Sequence, residues 1–240
     1  MKRVIEKTDD GSATLFVPEL NEHYHSTKGA RTESEHIFIN MGLKASGTPS
    51  PRILEIGFGT GLNAWLTLQE AEKSYRNIHY TGLELYPLEW SMIKQLGYIG
   101  ADEQLTINER QQSSVQLFEQ LHTSPWEEDV PLTSHFTLRK VQTDLNEWIL
   151  HSSLKPDVIY FDAFAPEKQP EMWSQELFNR LYVLLNKEGI LTTYCAKGVI
   201  RRMLQTAGFI VERLPGPPGG KREILRAWKQ VQQLKETKKR

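Results

Sequence analysis

The sequence predicts a Rossmann-like α/β fold, a doubly wound and mostly parallel sheet. Three observations predict it. From Arg52 to Trp228, short apolar runs alternate with amphipathic stretches of helical period. The first of those runs is followed by a glycine-rich turn, Gly57 to Gly61, that opens directly into a helix. Acids then lie within or at the end of three successive strands: Glu55, Glu84 and Asp144. Alternation of this kind builds parallel strands joined by helical crossovers, which places the carboxyl ends of the strands on one edge, where such sheets bind ligands.

Taken in order, residues 1–50 read as a strand-and-loop extension packed on the core. They hold an apolar run at Ala13–Val17 stopped by Pro18, and a second run, IFI, before residue 40. Residues 51–228 form the main domain. Ile53–Ile56 is a buried strand and Leu62–Ala71 a helix with Leu62, Trp65, Leu66 and Leu68 apolar. His79–Leu85 is a strand, and Trp90–Leu96 a helix closed by Gly97. Ser113–His122 is a helix. Thr123–Ser134, with two prolines and three consecutive acids, is a solvated loop. Phe136–Val141 is a strand and Leu145–His151 a helix. Asp157–Phe161 is a strand and Glu171–Leu185 a long amphipathic helix. Gly189–Cys195 is a strand and Gly198–Ala207 a helix. Phe209–Leu214 and Arg222–Trp228, joined by PGPPGG, form an antiparallel hairpin at the end of the sheet. Residues 229–240 are a charged tail.

Bulk composition narrows the function. With 240 residues and 39% hydrophobic content, one sizeable core is expected. A net charge of -1 excludes a uniformly basic protein, so a nucleic-acid partner would need a local patch. The single Cys195 forms no internal disulfide and suits a reducing cytoplasm, with a buried strand position the expected one. The N-terminus lacks the apolar run of a secretory signal, and no stretch is long enough to span a membrane. His23 and His25 have no carboxylate cluster beside them in sequence, so no metal site is expected.

The turn RILEIGFGTGLN points to a ligand class. Glycines at 57, 59 and 61 allow positive φ and close approach of a ligand. A dinucleotide fingerprint is G-x-G-x-x-G, but here the third glycine comes one residue early and Leu62 takes its place. The acid at Glu55 completes an E-x-G-x-G-x-G pattern that resembles motif I of class I methyltransferases. S-adenosyl-L-methionine carries positive charge and no phosphate, so acids near the turn suit it. Expected cofactor contacts are Glu55, Gly57, Phe58, Gly59, Thr60, Gly61 and Asn63 from the turn. Glu84 with Leu85 follows for the ribose, and Asp144 with Leu145 for the adenine. Asp144 equally fits a helix N-cap.

The fourth strand ends in IYFDAFAPEKQPEMW, where Asp162 meets the cofactor edge. Together with HYHSTKGARTESEHIFI, GFGTGLN, LELYPL, KGVIRRMLQTAGF and GGKREIL, this string resembles the methyltransferase half of the bifunctional tRNA 5-methylaminomethyl-2-thiouridine (MnmC) family, here in free-standing form. The resemblance implies N-methylation of the 5-aminomethyl group of a tRNA wobble uridine, with Asp162 catalytic and also in contact with cofactor. It implies substrate contacts from Tyr24, Glu33, Phe164, Pro166, Trp173, Lys197, Lys221 and Arg222. A second enzyme would supply the aminomethyl precursor. The strand TTYCAKG departs from the threonine/serine-rich version of bifunctional members, which bears on Tyr194 and Lys197. Two other readings fit parts of the pattern: a methyltransferase acting on another small-molecule or protein amine, and a Rossmann-fold oxidoreductase.

Overall fold

The computed structural model describes residues 2–100, 104–107, 110–151 and 154–230. The N-terminal segment forms a three-stranded antiparallel sheet from β1 (Val4–Lys7), β2 (Ala13–Val17) and β3 (Glu22–His23). It continues into α1 (Ala30–Ser34) and a π-helical turn at Glu35–Asn40. The alternating unit follows: β4 (Arg52–Ile56), α2 (Leu62–Ser74), β5 (Ile78–Glu84) and α3 (Trp90–Ile93). A hairpin of β6 (Gln104–Ile107) and β7 (Arg110–Ser113) leads to α4 (Ser114–Thr123), β8 (Asp129–Pro131) and β9 (Phe136–Gln142). Then come α5 (Leu145–His151), β10 (Val158–Phe161), α6 (Gln175–Leu184), β11 (Ile190–Thr193), α7 (Gly198–Ala207), β12 (Ile210–Pro215) and β13 (Glu223–Trp228).

Eight strands form the central sheet in the order β12-β13-β11-β10-β4-β5-β9-β8. The inner pairs β11–β10, β10–β4, β4–β5 and β5–β9 are parallel. The period-2 alternation of strand side chains divides the core between two faces. Ile53, Val158 and Tyr160 pack with α2, α4 and the N-terminal residues Leu15, Ile37 and Phe38. Leu54, Ile56, Ile159 and Phe161 pack with Leu145 of α5, Phe178 of α6 and Leu204 of α7. Covered on both sides, β10 is buried at every position, which is why it reads as a continuous apolar run.

The antiparallel hairpin is present, with β13 inserted between β11 and β12. The long helix expected from Glu171 is divided. Pro170–Met172 makes a 3-10 turn, and α6 begins only after Ser174, whose side chain accepts a hydrogen bond from the Leu177 amide at 3.1 Å as an N-cap. The loop expected over Thr123–Ser134 contains β8, an edge strand paired with β9 over three residues. Cys195 is buried just beyond β11. Residues 231–240, most of the charged tail, lie outside the described residues.

Candidate active site at the carboxyl edge of the sheet

The bend after β4 is shaped by its own neighbours. Gly57 has φ 89°, and a Cβ there would come within 2.7 Å of the Asp162 carbonyl, so only glycine lets the ends of β4 and β10 approach. The amides of Gly57 and Phe58 both donate to the Leu83 carbonyl, at 3.1 and 2.9 Å. The Gly59 amide donates to Glu84 Oε2 at 2.9 Å, and the Gly61 amide to the Phe58 carbonyl at 2.9 Å. These four N–H groups are therefore engaged inside the protein, and the bend is not a phosphate cradle of the kind found where such amides point outward. Gly61 serves packing instead, because a Cβ would meet the His122 ring at 2.6 Å.

Below the bend lies a cavity of about 300 Å³. Of the residues expected to hold cofactor, Gly57, Phe58, Gly59, Thr60, Asn63, Glu84, Leu85, Asp144, Leu145 and Asp162 line it. Glu84 is held open toward the cavity by two backbone donors, Gly59 and Tyr86, each at 2.9 Å. Asp144 Oδ1 accepts from the Asn146 amide at 2.7 Å, so this carboxyl caps α5 and lines the cavity at once. Glu55 does not reach the cavity wall. It is fully buried behind Asn63, whose Nδ2 donates to Glu55 Oε1 and to Asp162 Oδ2, both at 2.9 Å. Burial raises the Glu55 carboxyl well above its usual range.

Asp162 sits where β10 ends, its amide bonded to the Ile56 carbonyl at 3.0 Å. Burial and the nearby Glu33 carboxylate push its carboxyl up to about 7, against the Asn63 hydrogen bond and the Lys221 charge, which favour ionisation. Phe164 meets Tyr24 edge-on with centroids 5.1 Å apart, and both line the cavity. Tyr194 completes this side, its hydroxyl donating to the Ala163 carbonyl at 2.8 Å.

The other expected substrate residues stand off the wall. Trp173 is buried behind Phe164, donating its indole N–H to the Phe164 carbonyl at 2.8 Å. Pro166 lies in the loop beyond, and Arg222 is exposed on the β12–β13 turn. Lys197 pairs with exposed Glu167. Lys221 pairs with buried Glu33, which also accepts from the Ser26 amide at 2.9 Å, and stands over the Tyr194 ring at 4.7 Å. That pair ties α1 to the terminal hairpin.

Sequence reasoning left out Arg3, His23, His25, Lys168, Gln169, Glu171 and Met172, which all line the cavity. Arg3 reaches the Tyr24 hydroxyl and the Tyr86 carbonyl, both at 3.3 Å. His25 bonds Thr60 Oγ1 at 2.8 Å, and burial lowers its pKa to about 4, so it is neutral. The HYHS string was the available signal, but nothing local ties it to the bend. Among the described residues no group of three His, Cys, Asp or Glu could hold a metal, and no helix is long and apolar enough to cross a membrane.

The site fits S-adenosyl-L-methionine on chemical grounds. Glu84, Asp144 and Asp162 put three carboxyls on one wall, suited to a positively charged nucleoside, while the bend amides are unavailable to phosphate. Among the described residues the buried Asn63 Oδ1 has no partner.

A family model described as S-adenosyl-L-methionine-dependent methyltransferase matches residues 108–230. The tRNA 5-methylaminomethyl-2-thiouridine biosynthesis bifunctional protein MnmC of Cupriavidus metallidurans is 31% identical over 235 residues, covering 93% of this chain and 34% of that protein. Its namesake from Chromobacterium violaceum is 31% identical over 218 residues, 85% of this chain and 32% of that one. The chain thus spans about a third of the length of these relatives. Among solved structures, MNMC2 from Aquifex aeolicus aligns with a TM-score of 0.73 and 26% identity, covering 94% of this chain and 70% of that chain. Spermidine synthase from Thermotoga maritima shares the fold, with a TM-score of 0.53 at 14% identity over 95% of this chain and 72% of that one.

Proposed function

The chain belongs to the family of S-adenosyl-L-methionine-dependent methyltransferases, and on that footing we propose that it N-methylates the 5-aminomethyl group of a tRNA wobble uridine, giving 5-methylaminomethyl-(2-thio)uridine. The observation that carries this reading is the cavity wall itself. Asp162 shares it with Glu84 and Asp144 on one side and with the Tyr24–Phe164 aromatic pair on the other. The bifunctional MnmC relatives support the same substrate.

In this reading the residues that would hold the cofactor are those of the Gly57–Gly61 bend, Glu84, whose carboxyl suits ribose hydroxyls, and Asp144, whose carboxyl suits the base. When bound it supplies an electrophilic methyl carbon with a neutral thioether as leaving group. The residues of the chain must deliver a neutral amine to that carbon. An alkylammonium has a pKa of about 10.4, so the neutral form costs roughly 4.6 kcal/mol at pH 7. A carboxyl at about 7 is a far better proton acceptor for it than one at 3.8. Asp162 accepts the amine proton through Oδ1 and passes it to water. With its proton on Asp162, the amine would present a free lone pair to that carbon, the thioether taking the electrons of the broken bond. Phe164 and Tyr24 stack on the base, exclude water and hold the amine in place for attack. Trp173 acts from behind, by fixing Phe164.

Lys221, Lys197, Pro166 and Arg222 line the approach for the RNA in this reading, and buried Glu33 holds Lys221 in place there. A tRNA substrate puts the reaction in the cytoplasm, downstream of a separate enzyme that installs the aminomethyl group. The test is mass spectrometry of nucleosides after incubating tRNA bearing 5-aminomethyluridine with methyl-labelled S-adenosyl-L-methionine. One added labelled methyl on that nucleoside is expected. Single-turnover rates for Asp162→Ala and Asp162→Asn should fall by about 100-fold or more. An unlabelled nucleoside, or near-normal rates in both variants, defeats the reading.

A further inference from the structure

The carboxyls of Glu55 and Asp162 come from adjacent parallel strands and converge on one side chain. An asparagine amide carries two N–H groups, and both of Asn63's are used here, one on each carboxyl at 2.9 Å. Only this orientation of the amide gives both oxygens a donor. Asn63 itself cannot drift, since it sits in the first turn of α2 with its side chain buried. Glu55 is wholly enclosed, among the described residues no cation is paired with it, and the Tyr80 hydroxyl beside it favours its ionised form against burial.

We propose that Asn63 is a positioning residue that holds Asp162 Oδ2, leaving Oδ1 as the atom that meets the substrate, while Glu55 is kept as a neutral acid that orients the Asn63 amide. The proposal rests on the proposed function only in naming an amine as what Oδ1 meets. The Asn63 donor favours the ionised form of Asp162, offsetting burial. A second ionised carboxylate on the same amide would oppose it, and burial raises the Glu55 carboxyl well above its usual range, toward the neutral acid. The other groups acting on Asp162 are Glu33 of α1 and Lys221 of the terminal hairpin, with Tyr194 beside it, while the Tyr80 hydroxyl, Asp162 itself and Glu84 of β5 bear on Glu55. His25, affected by the same Glu33 and Lys221, is neutral above about pH 4.

The experiment is a carbon-13 titration of aspartate carboxyls in the full chain without tRNA or cofactor, with Asp162→Asn assigning the signal. Asn63→Leu keeps the volume and removes the donor. Its Asp162 midpoint should rise by about one pH unit, the scale of one lost charge-assisted hydrogen bond. Asn63→Ser, too short to reach both carboxyls, should also raise it, and serves if the leucine variant does not fold. Glu55→Gln should leave the midpoint in place, because a neutral acid is replaced by a neutral amide. A midpoint unmoved or lowered by the Asn63 changes overturns the positioning role, since a merely structural Asn63 would reduce the folded fraction at every pH without moving it. A drop of a unit or more in Glu55→Gln overturns the neutral Glu55. The titration uses no RNA, so its failure is distinct from failure to methylate tRNA.

Discussion

At pH 8.5 the variant Asp162→Asn should be more stable than the natural protein, although it loses catalysis. The folded state holds the Asp162 carboxyl at about 7, against 3.8 for an ordinary aspartate. A carboxyl raised in this way binds its proton more tightly when folded, so its ionisation opposes folding. The penalty is absent below pH 3.8, grows through the window up to about 7, and is complete above it. A shift of about 3 units corresponds to about 4 kcal/mol at 1.36 kcal/mol per unit. The carboxyl stands on an open cavity wall where water and salt screen it, so about half of that, ~2 kcal/mol, is the working figure. Asparagine keeps an oxygen for the Asn63 donor and carries no charge to desolvate. For a chain of this size ~2 kcal/mol raises the melting temperature by roughly 4–8 °C. Thermal unfolding of both proteins should show a gap that opens between pH 4 and 7 and is level above. Equal stability at pH 8.5, or a gap that does not depend on pH, would refute the assignment of a raised Asp162.

Gly57→Ala should cost about 2–3 kcal/mol in denaturant unfolding, because φ 89° is strained for alanine and its Cβ meets the Asp162 carbonyl at 2.7 Å. Stability unchanged within error would mean that the strand ends are not this close. Lys221→Met should cost about 1–3 kcal/mol by stranding buried Glu33, whereas Lys197→Met, whose partner Glu167 is exposed, should cost less than about 1 kcal/mol. Equal effects would contradict the difference in burial. Phe164→Leu should slow single-turnover methylation of tRNA while leaving cofactor affinity near normal, since the ring faces Tyr24 across the substrate side of the cavity. An equal loss of cofactor binding would move Phe164 to the other side of the site.

Much of the site was legible because its signals are local. The glycines at 57, 59 and 61 and the strand-end acids Glu84 and Asp144 lie within the elements whose geometry they serve, so spacing alone brings them to one edge. The acid within β4 was legible as an acid but not as a buried one. Glu55 turned inward because its side chain follows the pleat onto the face covered by α2, where Asn63 meets it. Asp144 caps α5 with one oxygen of its carboxyl and lines the cavity as well, so the cap does not exclude the cofactor role proposed for it. The start of α6 was misplaced although Ser174, an N-cap residue, was in view. The apolar residues Met172 and Trp173 continued the helical pattern while their backbone forms a separate turn. The acids and prolines of residues 123–134 concealed β8, which exists as the partner of β9. Arg3, His23 and His25 reach the cavity only because β1, β2 and β3 fold back over the edge of the sheet, a tertiary event with no signature at those residues.

Isothermal titration of S-adenosyl-L-methionine into the folded chain tests the central claim most directly. Saturable uptake at one site is expected, weakened roughly 10-fold or more in Glu84→Gln, which keeps a backbone acceptor but gives up the charge offered to the ribose. No uptake by protein shown to be folded, or equal affinity in the two proteins, would contradict it.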